Sequence, residues 1–267
     1  MSEPAYRCLR VERRDGIALV ALNRPDKRNA LSFEMLRELI ACARALALDR
    51  SVRVAILHGD GECFSAGIDL NDLNNPRNRL LALWSLLKPG MNLFQRACLI
   101  WKDLPFPVIA AIHGHCYGAG MQLVLGADVR IARADAKLSI MEARWGLVPD
   151  MGLSRSLRGL LRADVAKELV MTARIVEGDE AARIGLVTRL SDEPLDAALR
   201  LANEIAERSP DAVLAAKRVL DAMDHSVGSG LRAEKRWQLR LLRGRNSGIA
   251  RRRAKSPDLP FHPRQYD

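Results

Sequence analysis

An α/β core followed by a helical C-terminal region is the fold class this sequence predicts, and three observations carry it. Short, β-branched apolar runs alternate with segments of helical spacing through the first two thirds of the chain. The last third shows helical spacing alone. No apolar run reaches the 18 residues that a membrane-spanning helix needs. With 267 residues, 48% of them hydrophobic, the chain can bury one sizeable core. The expected division is a core over 1–195 and a helical region over 196–267.

In chain order, 17–23 (Ile-Ala-Leu-Val-Ala-Leu-Asn) reads as a buried strand closed by the turn Arg24-Pro25-Asp26. Ser32 suits an N-cap and Glu34 the first turn of a helix, whose apolar positions Leu36, Leu39, Ile40, Ala43 and Ala47 follow helical spacing to Asp49. Val52 to His58 is a second strand, and the polar stretch 71–79 reads as a mobile connection. Leu80 to Trp101 is helical with a break at Pro89-Gly90, and Pro105 and Pro107 precede a strand over 108–112. Strand pieces are expected at 129–132, 138–140 and 186–190, with helices from Asp150 towards Leu161, over 164–172 and over 192–208. Beyond these, Pro210 starts a helix to about Asp224, and Gly228-Ser229-Gly230 separates it from a basic helix, Leu231 to Arg243.

Composition narrows the function classes. Met1 to Tyr6 lacks a charged-then-apolar leader, so neither a secretory signal nor a membrane anchor is expected. The five cysteines are odd in number, scattered and free of C-x-x-C pairs. That favours reduced thiols in a cytoplasmic protein over a disulfide framework or a zinc site, and no metal is expected. Net charge is +10, with arginine clusters at 243–245 and 251–255, which suits either a polyanion partner or a solvated, charged C-terminus. Aromatic content is only 4%, without rings interleaved among the arginines, which argues against a nucleic-acid partner.

Chemistry concentrates at His113 to Gln122 (His-Gly-His-Cys-Tyr-Gly-Ala-Gly-Met-Gln). A strand leads in, glycines turn the chain, and a helix leads out. That arrangement leaves first-turn amides unpaired at the positive end of a helix dipole. Gly114, Gly118 and Gly120 serve equally for a tight turn or for close approach of a ligand to the backbone. Ser65-Ala66-Gly67-Ile68 repeats the design in a second loop. Two such amides, if they converge, make a two-donor oxyanion hole that needs no side chain.

Four motifs occur in order and at matching spacing: Arg24 through Leu31 (RPDKRNAL), Phe64 through Leu70 (FSAGIDL), Gly114 through Gln122, and Met141-Glu142 with Pro149-Asp150-Met151-Gly152. Together they resemble the crotonase (enoyl-CoA hydratase/isomerase) superfamily over residues 8–225. The resemblance implies strand-strand-helix turns wound into a superhelix, with C-terminal helices that support homotrimers, often paired into hexamers. It further implies an acyl thioester substrate, coenzyme A being part of that substrate and no other cofactor being needed. The oxyanion is then the thioester enolate.

Carried over by position, the amide donors fall on Ile68 and Ala119, where the family usually has glycine at the second. Ala66, Gly67, Asp69 and Gly118 fall along the coenzyme A path, with Asp69 also suited to cap the helix after Gly67. Arg28 reads as a phosphate ligand or as a solvated arginine. Hydratases of the family grip one water between two glutamates. The first falls here on Gln122, which orients water but exchanges no proton near neutrality, and the second on Glu142. Asp150 resembles the second acid of dienoyl-CoA isomerases, and it reads equally as a helix cap. Apolar neighbours (Ile140, Met141, Ala143, Trp145) should raise the pKa of Glu142. His113 and His115 read as packed histidines, and Cys63 and Cys116 lack a base partner. The leading expectation is a double-bond isomerase of enoyl- or dienoyl-CoA. The alternatives are a hydratase of trans-2-enoyl-CoA and an acyl-CoA or RNA binding protein with little turnover.

Overall fold

The computed structural model describes residues 6–87, 89–223 and 226–267. Two strands open the chain as an antiparallel hairpin, β1 (Leu9–Arg14) and β2 (Ile17–Leu22). From there each long buried strand starts a new turn of the fold. A short 3-10 turn (Pro25–Lys27) leads to α1 (Phe33–Leu48), and β3 (Val54–Gly59) follows. Next come α2 (Leu70–Leu73), α3 (Pro76–Leu87), α4 (Leu93–Lys102) and β4 (Val108–Ile112). β5 (His115–Tyr117), α5 (Ala119–Val124), β6 (Val129–Ala132) and β7 (Lys137–Ser139) complete the next turn. α6 (Leu153–Ser156), α7 (Ala163–Thr172), β8 (Val176–Glu177), α8 (Gly178–Arg183) and β9 (Arg189–Leu190) follow. The chain ends in α9 (Pro194–Ala206), α10 (Pro210–Met223), α11 (Val227–Arg243) and α12 (Arg245–Arg252).

Six strands form the main sheet in the order β1-β2-β3-β4-β6-β9, parallel from β2 onward, and β5-β7-β8 form a second, smaller sheet. The expected alternation of strand and helix is therefore present, as strand-strand-helix turns. Both faces of the main sheet are covered, as parallel sheets require. One face packs on α1 and α4 through residues such as Leu36, Leu39, Cys98 and Trp101; the other packs on α9 through Ala197, Ala198 and Ala202. The 195/196 boundary thus falls inside a helix that seals the sheet. Ser32 caps α1 as expected, its hydroxyl accepting from Met35 N–H at 3.1 Å.

Several expectations from sequence need correction. The stretch 71–79 carries α2 and the start of α3, with the Asn75 side chain accepting from Arg77 N–H at 3.0 Å and Pro76 in the first turn. The helix foreseen from Asp150 to Leu161 is only Leu153–Ser156, and the strand foreseen over 186–190 is only its last two residues. Gly228, Ser229 and Gly230 lie inside the first turn of α11, capped by Ser226, rather than before it. Asp224, the foreseen end of the preceding helix, lies outside the described residues. Of the second sheet, β7 (Lys137–Ser139) lies within one residue of the strand expected at 138–140, whereas β5, β8 and, in the main sheet, β1 were not foreseen.

The helical region is tied to the core by buried polar contacts. Lys217 of α10 donates to Asp128 Oδ2 at 2.7 Å and to Phe106 O at 3.1 Å, and the same carboxylate oxygen accepts from Val108 N–H at the start of β4. Arg264, nearly the largest wholly buried side chain, donates to Ala47 O at 2.9 Å and Tyr266 O at 3.0 Å. Among the described residues no helix is long and apolar enough to cross a membrane.

One packing contact holds two loops of the site together. A Cβ added at Gly120 would sit 2.6 Å from Ser65 Cβ. Gly120→Ala should therefore lower the urea midpoint, by about 1–3 kcal/mol in stability, as overpacking does; an unchanged midpoint would show that these loops are not in tight contact.

Candidate active site

Two isolated parallel bridges decide which main-chain groups face the site. Leu31 N–H donates to Gly67 O at 2.8 Å, and Asp69 N–H donates to Leu31 O at 3.0 Å. Residue 68 sits between those two bonds, so parallel pairing turns its own N–H away from Leu31. The second bridge joins Ser65 to Cys116, through Ser65 N–H to His115 O at 3.0 Å and Tyr117 N–H to Ser65 O at 3.1 Å. Gly118 N–H is then taken by Ser139 O at 2.9 Å. Ala119 begins α5, so its N–H has no intrahelical acceptor. Among the described residues neither Ile68 N–H nor Ala119 N–H donates to a protein acceptor. The loops adjoin: Gly67 has φ +104°, and a Cβ there would lie 3.1 Å from Tyr117 O and 3.9 Å from Ala119 N.

Ile68 and Ala119 line one cavity of about 330 Å³, together with Ala66, Gly67, Gly118, Gln122, Glu142 and Asp150. Gln122 is buried, and its amide is clasped from both sides. Its Oε1 accepts from Met151 N–H at 2.9 Å, which leaves Nε2 to donate to Glu142 Oε1 at 2.6 Å. Glu142 Oε2 is buried without a hydrogen-bond partner. Burial pushes the Glu142 carboxyl above the ordinary glutamate value of 4.5, the negative charge of Asp150 adds to this, and the Gln122 donor opposes it. Of the apolar neighbours named from sequence, Ile140 is buried and Met141 half-buried, and Met141 and Trp145 line the cavity, whereas Ala143 and Trp145 are exposed. Asp150 keeps part of its surface open to water, yet loss of hydration pushes it above the ordinary aspartate value as well. It is not a cap: α6 starts after Gly152 and has no side-chain cap.

Gly118 serves two ends here. Its φ of +48° and ψ of −116° exclude ordinary side chains, and a Cβ would lie 3.6 Å from Glu142 Oε1. Two foreseen residues stand apart from the cavity lining. Arg28 is exposed in a left-handed conformation, and its carbonyl accepts from Ala66 N–H at 2.9 Å, so its main chain supports the first loop. Asp69 is occupied by the fold, since its carboxylate accepts from Asp72 N–H at 3.2 Å to cap α2 and pairs with Arg24 at 2.9 Å. His113 Nε2 lies 2.9 Å from Gly61 O, and His115 stacks on Tyr117. Burial pushes the Cys63 and Cys116 thiols up, away from reactivity. Sequence reasoning missed Tyr117 and Met151; each directly adjoins a foreseen residue, and that adjacency was the available signal.

An unpartnered, buried carboxylate oxygen beside two free amides is an arrangement for moving a proton next to a developing oxyanion. A family model described as enoyl-CoA hydratase/isomerase matches residues 12–243. The chain belongs to the enoyl-CoA hydratase/isomerase family. It is 36% identical over 249 residues to the human mitochondrial Delta(3,5)-Delta(2,4)-dienoyl-CoA isomerase, covering 89% of this chain and 76% of that protein. It is 32% identical over 214 residues to the short-chain-enoyl-CoA hydratase of Clostridium acetobutylicum, covering 79% and 80%. The crystal structure of an enoyl-CoA hydratase from Bacillus anthracis superposes with a TM-score of 0.88 at 27% identity, covering 96% of this chain and 99% of that one. The superhelical fold of this enoyl-CoA hydratase/isomerase family member is thus that of a solved relative.

The raised carboxyl at position 142 has a stability consequence. The native state holds its proton to higher pH than the unfolded chain does, so stability falls as pH rises above about 4.5 through the native value. Glu142→Gln should therefore be more stable than the parent at pH 7, and the gain should vanish below pH about 4.5. Thermal melts across that range check it; a pH-independent difference would contradict the burial of this charge.

Proposed function

We propose that this chain moves double bonds in enoyl- or dienoyl-CoA thioesters by way of an enolate. The observation that carries the reading is the clasped Gln122. A hydratase needs two groups that hold water and exchange its protons, whereas the Gln122 oxygen and one N–H are already committed to Met151 and Glu142. Two carboxyl groups of raised pKa line the same cavity, which suits proton transfer between carbons without captured water.

The thioester oxygen sits between Ile68 N–H and Ala119 N–H. Glu142 takes a proton from C2 with Oε2, and the electron pair moves onto the thioester oxygen as the enolate forms. Asp150, protonated, gives its proton to the far carbon of the conjugated system, and the electrons return to form the shifted double bond. For a simple 3-enoyl substrate Glu142 returns its own proton at C4. Ala66, Gly67 and Gly118 face the pantetheine, and Arg28, exposed beside Ala66, faces the coenzyme A phosphates. Coenzyme A enters as part of the substrate, and no other cofactor is invoked.

The exposed apolar residues Leu220, Met223, Leu231, Leu239 and Leu242 on α10 and α11 support self-association as a homotrimer or hexamer. Five buried cysteines, none of them in a disulfide, support a reducing, cytoplasmic setting.

An assay panel of crotonyl-, 3-enoyl- and 3,5-dienoyl-CoA tests the reading. Glu142→Gln should lower kcat for both isomerisations by about 10²–10⁴-fold. Asp150→Asn should reduce the dienoyl reaction at least about tenfold more than the 3-enoyl shift, since only the former needs a second acid. Hydration of crotonyl-CoA faster than either isomerisation would favour a hydratase, and no turnover with any of the three would favour a binding protein.

A further inference from the structure

Ser139 ends β7 and does not line the cavity, yet it is bonded on two sides to what frames the cavity. Its carbonyl accepts from Gly118 N–H at 2.9 Å, one residue before the Ala119 donor. Any residue would supply that acceptor; the hydroxyl is what this side chain adds. It donates to Ala173 O at 3.1 Å, 34 residues on, at the end of α7. Both residues are buried, Ser139 at 3% and Ala173 at 2% exposure, so water cannot replace the bond. Among the described residues no main-chain N–H donates to Ala173 O, which leaves the hydroxyl as its donor. Pairing of β7 with β8 ends at Leu138–Val176, so the hydroxyl carries the tie one residue further, towards Glu142. The far end is itself fixed. Ala173 closes α7 in a left-handed conformation, with φ +51°. Arg174, next in the chain, donates to both oxygens of Glu168, at 2.6 and 3.1 Å, and to both of Glu180, at 3.0 and 2.6 Å. α7 in turn packs against the 3-10 turn Glu142–Trp145, which carries the base. One hydroxyl therefore joins the loop that holds a main-chain donor to the helix that backs the carboxylate.

We propose that Ser139 is a positioning residue of this site: its hydroxyl, through the Gly118–Ser139 and Ser139–Ala173 bonds, sets the distance between Ala119 N–H and the Glu142 carboxylate. Without the hydroxyl, Ala173 O is buried and unpaired, which is costly. Relief comes from a shift of the end of β7 against α7, and that shift carries Gly118 with it. Misplacing a reacting group by about 1 Å can cost about 10²-fold in rate. A movement too small to close the cavity to a ligand therefore still slows proton transfer. The inference rests on the proposed placement of the thioester oxygen at Ile68 N–H and Ala119 N–H.

Ser139→Ala in the full chain tests it with two readouts. In the first, kcat for 3-enoyl-CoA isomerisation should fall at least about tenfold, while Kd for butyryl-CoA stays within about twofold of the parent. The second is the infrared stretch of a carbon-13-labelled butyryl-CoA carbonyl in the bound state. It should lie nearer its aqueous frequency in Ser139→Ala than in the parent, a change that lost stability alone does not produce in molecules that remain folded. Arg174→Gln, which frees the far end from a half-exposed position, should move the stretch the same way, and it decides where Ser139→Ala does not fold. An unchanged stretch, an unchanged kcat, or a loss of butyryl-CoA affinity as large as the loss of kcat would overturn the inference. Butyryl-CoA has no double bond to move, so the two readings fail separately. A parent that lowers the stretch without isomerising sinks only the proposed reaction, and one that isomerises equally well with or without the hydroxyl sinks only the role of Ser139.

Discussion

One residue's width of parallel pairing, Leu31 against the Gly67–Asp69 segment, is the constraint on which the site depends. It takes the groups on either side of Ile68 and leaves that N–H without a partner. The Ser65–Cys116 bridge does the same service for the second loop, and the Gly118–Ser139 bond fixes the chain one residue before Ala119. Unpaired amides are costly when buried and useful when aimed at a ligand. Here they are aimed by main-chain bonds, so the position of each donor is set by the fold and not by a rotamer. That is why alanine at position 119 leaves the donor itself intact.

The acid beside these amides is also held by the backbone, at one remove. Met151 N–H fixes which way the Gln122 amide faces, and the amide then fixes one oxygen of Glu142. The other oxygen is left buried and unpaired, an arrangement that costs stability and raises basicity together. Gly118 is demanded there by its backbone angles, φ +48° and ψ −116°, since a Cβ would make only an ordinary 3.6 Å contact with Oε1. The site is therefore a set of small omissions, of a side chain or a bond, each enforced by well-packed surroundings.

Much of this was legible in the sequence, and what was not has physical reasons. Gly67, Gly118 and Gly120 announce close approach because no other residue takes those dihedrals or fits those gaps. Glu142 and Asp150 stand out once the four motifs are read together. The Gln122–Met151 contact was hidden because it joins residues 29 apart through a main-chain donor that any residue would supply. Asp69 read both as a ligand and as the cap of the helix after Gly67, and the cap is what the structure shows, its carboxylate being taken by α2 and Arg24. The stretch from Asn71 to Arg79 looked like a linker because it is polar, although Asn75-Pro76 is itself a helix-start signal. Short strands such as β8 are invisible to periodicity, since two residues define no alternation.

The central claim is that two main-chain N–H groups, at Ile68 and Ala119, polarise the thioester carbonyl of the bound substrate. It is tested most directly by the isotope-edited infrared stretch of that carbonyl, labelled with carbon-13, in a dienoyl-CoA bound to the Glu142→Gln variant. Two aligned donors in a site shielded from water should move the stretch below its frequency in aqueous solution. A frequency equal to or above that of the free thioester in water would contradict the account.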